Sequence, residues 1–253
     1  MKSADSPGKP PMKKNLLIAL LFVLAGCASS EGPYDAVRTF SDAEQSMRSE
    51  DYERARKDYQ RIQEKSPDKS YDAFIMLRIA DTYYGEEKYS EALVEYQNFL
   101  NYHPVHKDAA YVQYQIAMCS YKELETIDRD PTPAHTVIRE MKKLLEKYPR
   151  SGYEDQAQQY IAICSDWIAQ YEFYVAHFYY KAGSYKATIG RCEKLLKDYP
   201  GSSAEKDALY YAALSYLERG EREQARSKLE TLEQKYPAMK RTAEALLRKI
   251  PTP

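Results

Sequence analysis

The stretch Tyr83-Tyr84-Gly85-Glu86-Glu87-Lys88-Tyr89-Ser90-Glu91-Ala92-Leu93 decides the fold of this 253-residue chain. It sets Tyr89 fifteen residues and Ala92 twelve residues ahead of Pro104, and the pattern recurs elsewhere. Five prolines stand at matched places: Pro67, Pro104, Pro149, Pro200 and Pro237, separated by 37, 45, 51 and 37 residues. Each closes a stretch of helical periodicity. A proline cannot continue a helix and pushes the residue before it out of helical geometry, so each marks the end of a helical unit. Counting back fifteen residues from Pro67, Pro104, Pro200 and Pro237 gives Tyr52, Tyr89 and Tyr185, with Arg222 as the departure. Counting back twelve gives Ala55, Ala92 and Ala225, with Thr188 as the departure. Counting back twenty-four gives Ala43, Ala80, Ala176 and Ala213. Small residues suit the closest approach of two antiparallel helices, and the tyrosines fill the wider gap at the turn. Self-similarity on this scale predicts a solenoid.

The spacing resembles the tetratricopeptide repeat, and the quoted stretch is its best local match. The resemblance implies an all-α fold, a right-handed α-solenoid of five tetratricopeptide-like helix pairs. Ser151 with Glu154, and Ser202 with Glu205, read as capping boxes just after a terminating proline. Two units are irregular. Repeat 3 carries a loop insertion, Thr126 to Pro133 (TIDRDPTP), because two prolines fall within it. Repeat 4 has about fourteen extra residues, yet Tyr153 to Ala182 holds neither Gly nor Pro. At 1.5 Å per residue that stretch predicts one extended helix of roughly 45 Å, carrying the single tryptophan, Trp167.

Residues 1–26 stand outside the repeats. Lys13 and Lys14 precede an apolar run, Leu16 to Leu24, that is too short to span a bilayer and suits a signal peptide. The segment Leu24-Ala25-Gly26-Cys27 resembles the bacterial lipobox. That resemblance implies cleavage before Cys27, and diacylglycerol and an N-acyl chain on Cys27. Ala28 in place of aspartate implies sorting to the outer membrane, facing the periplasm. Two or more acyl chains anchor stably where one does not. Residues 27–33 read as anchor and tether. Removing residues 1–26 takes four lysines and one aspartate from totals of 37 basic and 38 acidic side chains. This leaves 33 against 37, a net charge of −4. No basic excess supports nucleic-acid binding.

Chemistry is hard to find. Cys119, Cys164 and Cys192 have no metal-ligand spacing and read as buried free thiols, with a disulfide between two of them as the alternative. His103 and His106 form the only tight histidine pair and read as solvated turn residues; no metal site is expected. No nucleophile elbow, phosphate loop or zinc-protease helix is present, and the chain does not read as an enzyme. No cofactor is expected beyond the acyl groups.

First helices of such repeats line an inner groove. The groove positions map to Val37, Phe40, Glu44 and Met47, then Phe74, Leu77, Asp81 and Tyr84, then Tyr111, Tyr114, Met118 and Tyr121. This describes an aromatic and methionine-rich trough with few charges, suited to an extended apolar peptide. The competing reading packs these rings against one another and leaves no open groove.

The mature chain also resembles the BamD family, lipoproteins of the outer-membrane β-barrel assembly machinery. Three matches carry this: Asp128-Arg129-Asp130-Pro131 followed by Ala134; Tyr171-Glu172, Val175-Ala176 and Tyr179-Tyr180; and Arg191 with Asp198-Tyr199-Pro200. The resemblance implies a non-enzymatic scaffold, with Asp128, Arg129 and Asp130 forming a structural loop. Residues 34–150 would hold repeats 1–3 and recognise C-terminal segments of unfolded outer-membrane proteins. Residues 151–250 would hold repeats 4–5 and dock on a POTRA domain of BamA through Arg191, beside other Bam lipoproteins. The alternatives are a pilotin-type lipoprotein for a pilus secretin and a CpoB-type cell-envelope coordinator.

Overall fold

The computed structural model describes residues 34–66 and 71–250. Among these, the chain forms five antiparallel helix pairs and a short terminal helix, with no strand. The pairs are α1 (Ala36–Arg48) with α2 (Tyr52–Lys65), α3 (Asp72–Gly85) with α4 (Tyr89–Tyr102), and α5 (Ala109–Lys122) with α6 (Thr132–Lys147). They continue as α7 (Glu154–Lys181) with α8 (Tyr185–Asp198), and α9 (Glu205–Glu218) with α10 (Arg222–Lys235). The expected five pairs are therefore present. Pro67, Cys27 and the tether lie outside the described residues.

Close packing follows the small-residue register. Ala43, Ala80, Ala117, Ala176 and Ala213 are fully buried, as are Ala55, Ala92, Ala225 and Thr188. The turn aromatics do their expected job: Tyr89 meets Tyr84 edge-on at 5.4 Å, and Tyr185 meets Tyr180 at 5.8 Å. Gly85 is needed for space, because a Cβ there would come within 2.5 Å of the Tyr52 ring.

Prolines end the second helices, but four of the five first helices end by another device, α5 being the exception. Residues Glu50, Glu87, Gly183 and Gly220 all adopt positive φ at equivalent places. Behind each, a backbone N–H reaches back five residues: Asp51 to Ser46, Lys88 to Tyr83, Ser184 to Tyr179 and Glu221 to Tyr216, all at 2.9 Å. This is the Schellman arrangement, which satisfies carbonyls left orphaned at a helix end. Glutamate gives no sequence signal for it, since glycine is the usual occupant.

The two capping boxes are corrected. Glu154 accepts from the Ser151 backbone N–H at 2.7 Å, which is half a box. Ser151 Oγ meets the Tyr153 N–H and not that of Glu154. The second box does not form: Ser202 Oγ is buried without a hydrogen-bond partner. Glu205 instead accepts from the Gly201 N–H, Lys235 Nζ and Tyr236 Oη. Tertiary partners outcompete the local cap.

The insertion is a loop to Pro131, after which α6 begins at Thr132. Pro133 sits in the first helical turn, where its missing N–H costs nothing. Helix α7 has 28 residues, twice the length of its neighbours α8 and α9. Its Ala157, Cys164 and Ile168 pack with Val137, Met141 and Leu144 of α6. Its Ala169 and Ala176 pack with Cys192 and Leu195 of α8 and with Ala208 and Ala212 of α9. One helix thus belongs to two successive core clusters, and the chain on either side of residue 150 shares one core. A single 3₁₀ turn, Pro237–Met239, leads into α11 (Lys240–Leu247), which the repeat count had not included. Ala243 and Ile250 close over Ala213, Ala225 and Leu229, capping the last pair as solenoid ends require.

Candidate functional site

The inner face of repeats 1–3 is built by α1, α3 and α5, and its expected lining residues divide into three groups. Leu77 and Met118 are buried in the inter-repeat cores and line no opening. Tyr114 and Tyr121 are covered by α7: Tyr114 stacks on Tyr153 at 5.2 Å, and Tyr121 meets Tyr160 edge-on at 4.8 Å. Tyr84 packs against both neighbouring clusters, and burial pushes its hydroxyl pKa up to about 12. At this end the rings pack against one another, as the competing reading had it. The more exposed lining residues stand at the other end. Phe40 is exposed and packs on Phe74 at 5.8 Å, Val37 stands 80% exposed, and Met47 is half-buried.

The trough is also more charged than expected. Arg78 donates from Nη2 to Glu44 Oε2 at 3.0 Å, lies 3.7 Å from Asp81, and holds its guanidinium over the Phe74 ring at 5.1 Å. Tyr59 donates to Glu44 from behind, at 2.5 Å. Tyr96 and Tyr111 both donate to Asp81 Oδ1, at 2.7 and 3.1 Å, and Gln115 donates to the Tyr111 hydroxyl. Burial pushes the Asp81 pKa above the usual carboxylate value, against the pull of the two tyrosines. Sequence reasoning named Glu44, Asp81 and Tyr111 as lining but missed Arg78 and the buried Tyr59 and Tyr96 that help fix the two carboxylates. The signal was there: Glu44 and Asp81 stand 37 residues apart, as do Tyr59 and Tyr96. Such a floor suits a segment with both aromatic and polar groups.

A second charged feature lies on repeat 4. Glu172 on α7 is buried, and two bases from α8 hold it: Arg191 Nη1 donates at 2.7 Å and Lys194 Nζ at 2.9 Å. Burial pushes the Glu172 pKa up, but the hydrogen bonds from Lys194 and Arg191 together outweigh it and set it below the ordinary value. Arg191 therefore has a structural duty, while its side chain stays 40% exposed. On the exposed loop, Asp128 accepts from Thr126 Oγ1 at 2.6 Å. Asp130 accepts from the Thr132 N–H and hydroxyl at 3.0 and 2.8 Å, closing the start of α6. Arg129 pairs with Glu125 at 3.4 Å.

Cys119, Cys164 and Cys192 are free and buried in three different clusters, and burial pushes each thiol up to about 12. They are inert core residues, and the disulfide alternative falls. His103 and His106 are not simply solvated, since both rings pack on Phe99 at 5.5 Å. Among the described residues no cluster of three or more metal-ligand side chains occurs, and no helix is long and apolar enough to cross a membrane.

Comparison with known proteins adds a family. Residues 34–228 match the model of the YfiO family, described as an outer membrane lipoprotein. The chain is 25% identical over 218 residues to the outer membrane protein assembly factor BamD of Vibrio cholerae, covering 81% of this chain and 89% of that protein. It is 25% identical over 247 residues to the BamD of Neisseria meningitidis serogroup A (89% and 92% covered). The BamD of Rickettsia prowazekii is 25% identical over 232 residues, with the same coverage. Among solved structures, the TPR2AB domain of yeast Sti1 aligns at TM-score 0.39 and 12% identity over 85% of this chain and 98% of that one. TTC0263, a thermophilic tetratricopeptide protein of Thermus thermophilus, aligns at 0.36 and 13%, with the same coverage.

Proposed function

The chain belongs to the YfiO family of outer-membrane lipoproteins, and on that footing we propose that it is a non-enzymatic scaffold of the β-barrel assembly complex. The observation that carries this reading is the family match across both the N-terminal and C-terminal repeats, together with relatives named as outer membrane protein assembly factors. The pilotin and CpoB-type alternatives are not favoured, because the relatives that match along most of the chain share the one name.

In this reading Cys27 carries the acyl chains and holds the solenoid at the periplasmic face of the outer membrane. The open end of the trough, at Phe40, Phe74 and Arg78, takes the aromatic-ended targeting segment of an unfolded client. The Arg191 side of repeat 4 meets a POTRA domain of BamA, with other Bam lipoproteins completing the complex. What supports the first contact is ring surface beside a fixed guanidinium. What supports the second is a half-exposed arginine held in one pose by a buried carboxylate.

The test is a mild-detergent pull-down of the tagged, lipidated chain with mass spectrometry of what co-purifies. A large outer-membrane barrel with periplasmic repeat domains is the expected partner. A secretin ring would show the pilotin reading to be right instead. In the same preparation, replacing Phe40 with alanine is expected to weaken capture of an aromatic-ended peptide while helicity by circular dichroism stays at the wild-type level. Unchanged peptide affinity would remove the trough from the mechanism.

A further inference from the structure

The two edges of the solenoid differ in chemistry. In an antiparallel stack every first helix starts at one edge, and the linkers between repeats lie there too; the turns within repeats lie at the other. The Tyr148 hydroxyl donates to the Pro104 carbonyl at 3.1 Å, joining the α4–α5 linker to the α6–α7 linker along the first edge. This edge exposes Tyr71 (64%), Tyr102 (74%) and Val105 (95%), with Lys107 and Arg150 also exposed. In repeats 1–3 the opposite edge carries Glu50, Asp51, Glu87, Glu125, Asp128 and Asp130, which outnumber the bases of the same turns, Lys88 and Arg129.

Helix α1 begins at the first edge. Asp35 lies eight positions after Cys27, and at 3.3–3.6 Å per residue that segment reaches at most about 29 Å. An acylated Cys27 therefore tethers this edge, while the acidic edge stands about 20 Å further off, one helix length away. Tyrosine is amphipathic and enriched at membrane–water interfaces, and exposed bases are drawn to anionic headgroups while carboxylates are repelled.

We propose that the inter-repeat edge of repeats 2 and 3, led by Tyr102 and Val105 with Lys107 and Arg150, is a membrane-contact rim that lies on the phospholipid surface to which the anchor ties the chain. The proposal rests on the reading of Cys27 as acylated. It orients the molecule: the linker edge faces lipid and the acidic turn edge faces the aqueous space, which leaves the inner face of repeats 1 and 2 open from the side.

The experiment uses the full acylated chain in vesicles of phosphatidylethanolamine and phosphatidylglycerol that contain brominated lipid. An environment-sensitive thiol label is placed singly at Tyr102→Cys, Val105→Cys, Glu87→Cys and Asp128→Cys; the three natural core cysteines are buried and do not compete. Labels at 102 and 105 are expected to be quenched severalfold more than labels at 87 and 128. Equal quenching at both edges, or none at 102 and 105 in protein that floats with the vesicles, overturns the rim and leaves the anchor standing. Failure of the chain to float any better than Cys27→Ser overturns the anchor reading and the rim with it.

Discussion

Arg191 shows how one residue serves packing and contact together. Its guanidinium closes over Glu172, a carboxylate shared with Lys194 and almost wholly buried. Arg191→Glu would set a second carboxylate against the first. An expected loss of about 1–3 kcal/mol corresponds to a fall in Tm of about 2–4 °C per kcal/mol for a chain of this size. Arg191→Gln keeps a neutral donor and leaves Lys194 in place, so its Tm is expected to stay near wild type. Thermal melts followed at 222 nm separate the two. If both variants lose BamA in a pull-down but only the glutamate variant melts early, Arg191 touches the partner. If capture follows Tm, its role is structural alone. The arginine was legible in the sequence through family resemblance; the duty toward Glu172 was not, because the two stand 19 residues apart and meet only when α7 and α8 pack.

Helix α7 is where one element determines the behaviour of its neighbours. Its length could be read from thirty residues without Gly or Pro, and the helix of 28 residues agrees. What could not be read is that its first half closes over Tyr114 and Tyr121 while its second half begins the next core. Asp166, near its middle, accepts from the Ser203 N–H and hydroxyl at 2.6 and 2.9 Å, pinning the start of repeat 5 to the same helix. The helix is thus a strut between the two groups of repeats. Ala169→Pro would break it where the clusters meet, at an expected cost of about 3 kcal/mol or more, whereas Ala169→Gly costs about 1 kcal/mol. Calorimetry of the proline variant is expected to show two transitions, and limited proteolysis a cut near the break. A single transition at the wild-type temperature would mean the halves are held together by something other than α7.

Across the whole molecule, buried carboxylates bridge successive helices. Arg56 dominates the environment of Glu86 and pulls its pKa down. For Glu140, Glu172 and Glu205 burial is the largest single influence and pushes upward. Hydrogen bonds from Lys143, Lys194 and Lys235 with their neighbours nevertheless bring each below the ordinary 4.5. A carboxyl group whose folded pKa is depressed contributes stability above its unfolded value and loses it as pH falls through the folded value. Stability is therefore expected to hold from neutral pH to about 5, then fall steadily below 4.5, where these groups take up protons. Asp81, shifted the other way, offsets part of the loss. Urea unfolding at about pH 7, 5 and 3.5 checks it, and Glu172→Gln should flatten the acid limb. Stability that rises on acidification would contradict the bridging role.

The amino-acid sequence by itself determined the five helix pairs, the places where second helices stop, the long fourth-repeat helix and the insertion, but not the terminal helix α11. Periodicity, proline and small-residue spacing act locally and need no partner to be read. Tertiary structure alone decided which trough residues stay open, how Glu44 and Asp81 are held around Arg78, and that Glu205 abandons its expected cap for Lys235 and Tyr236. Those outcomes depend on side chains as far apart as Glu44 and Arg78, or Glu205 and Lys235, competing for the same hydrogen bonds and the same space, a contest that begins only once the repeats have stacked.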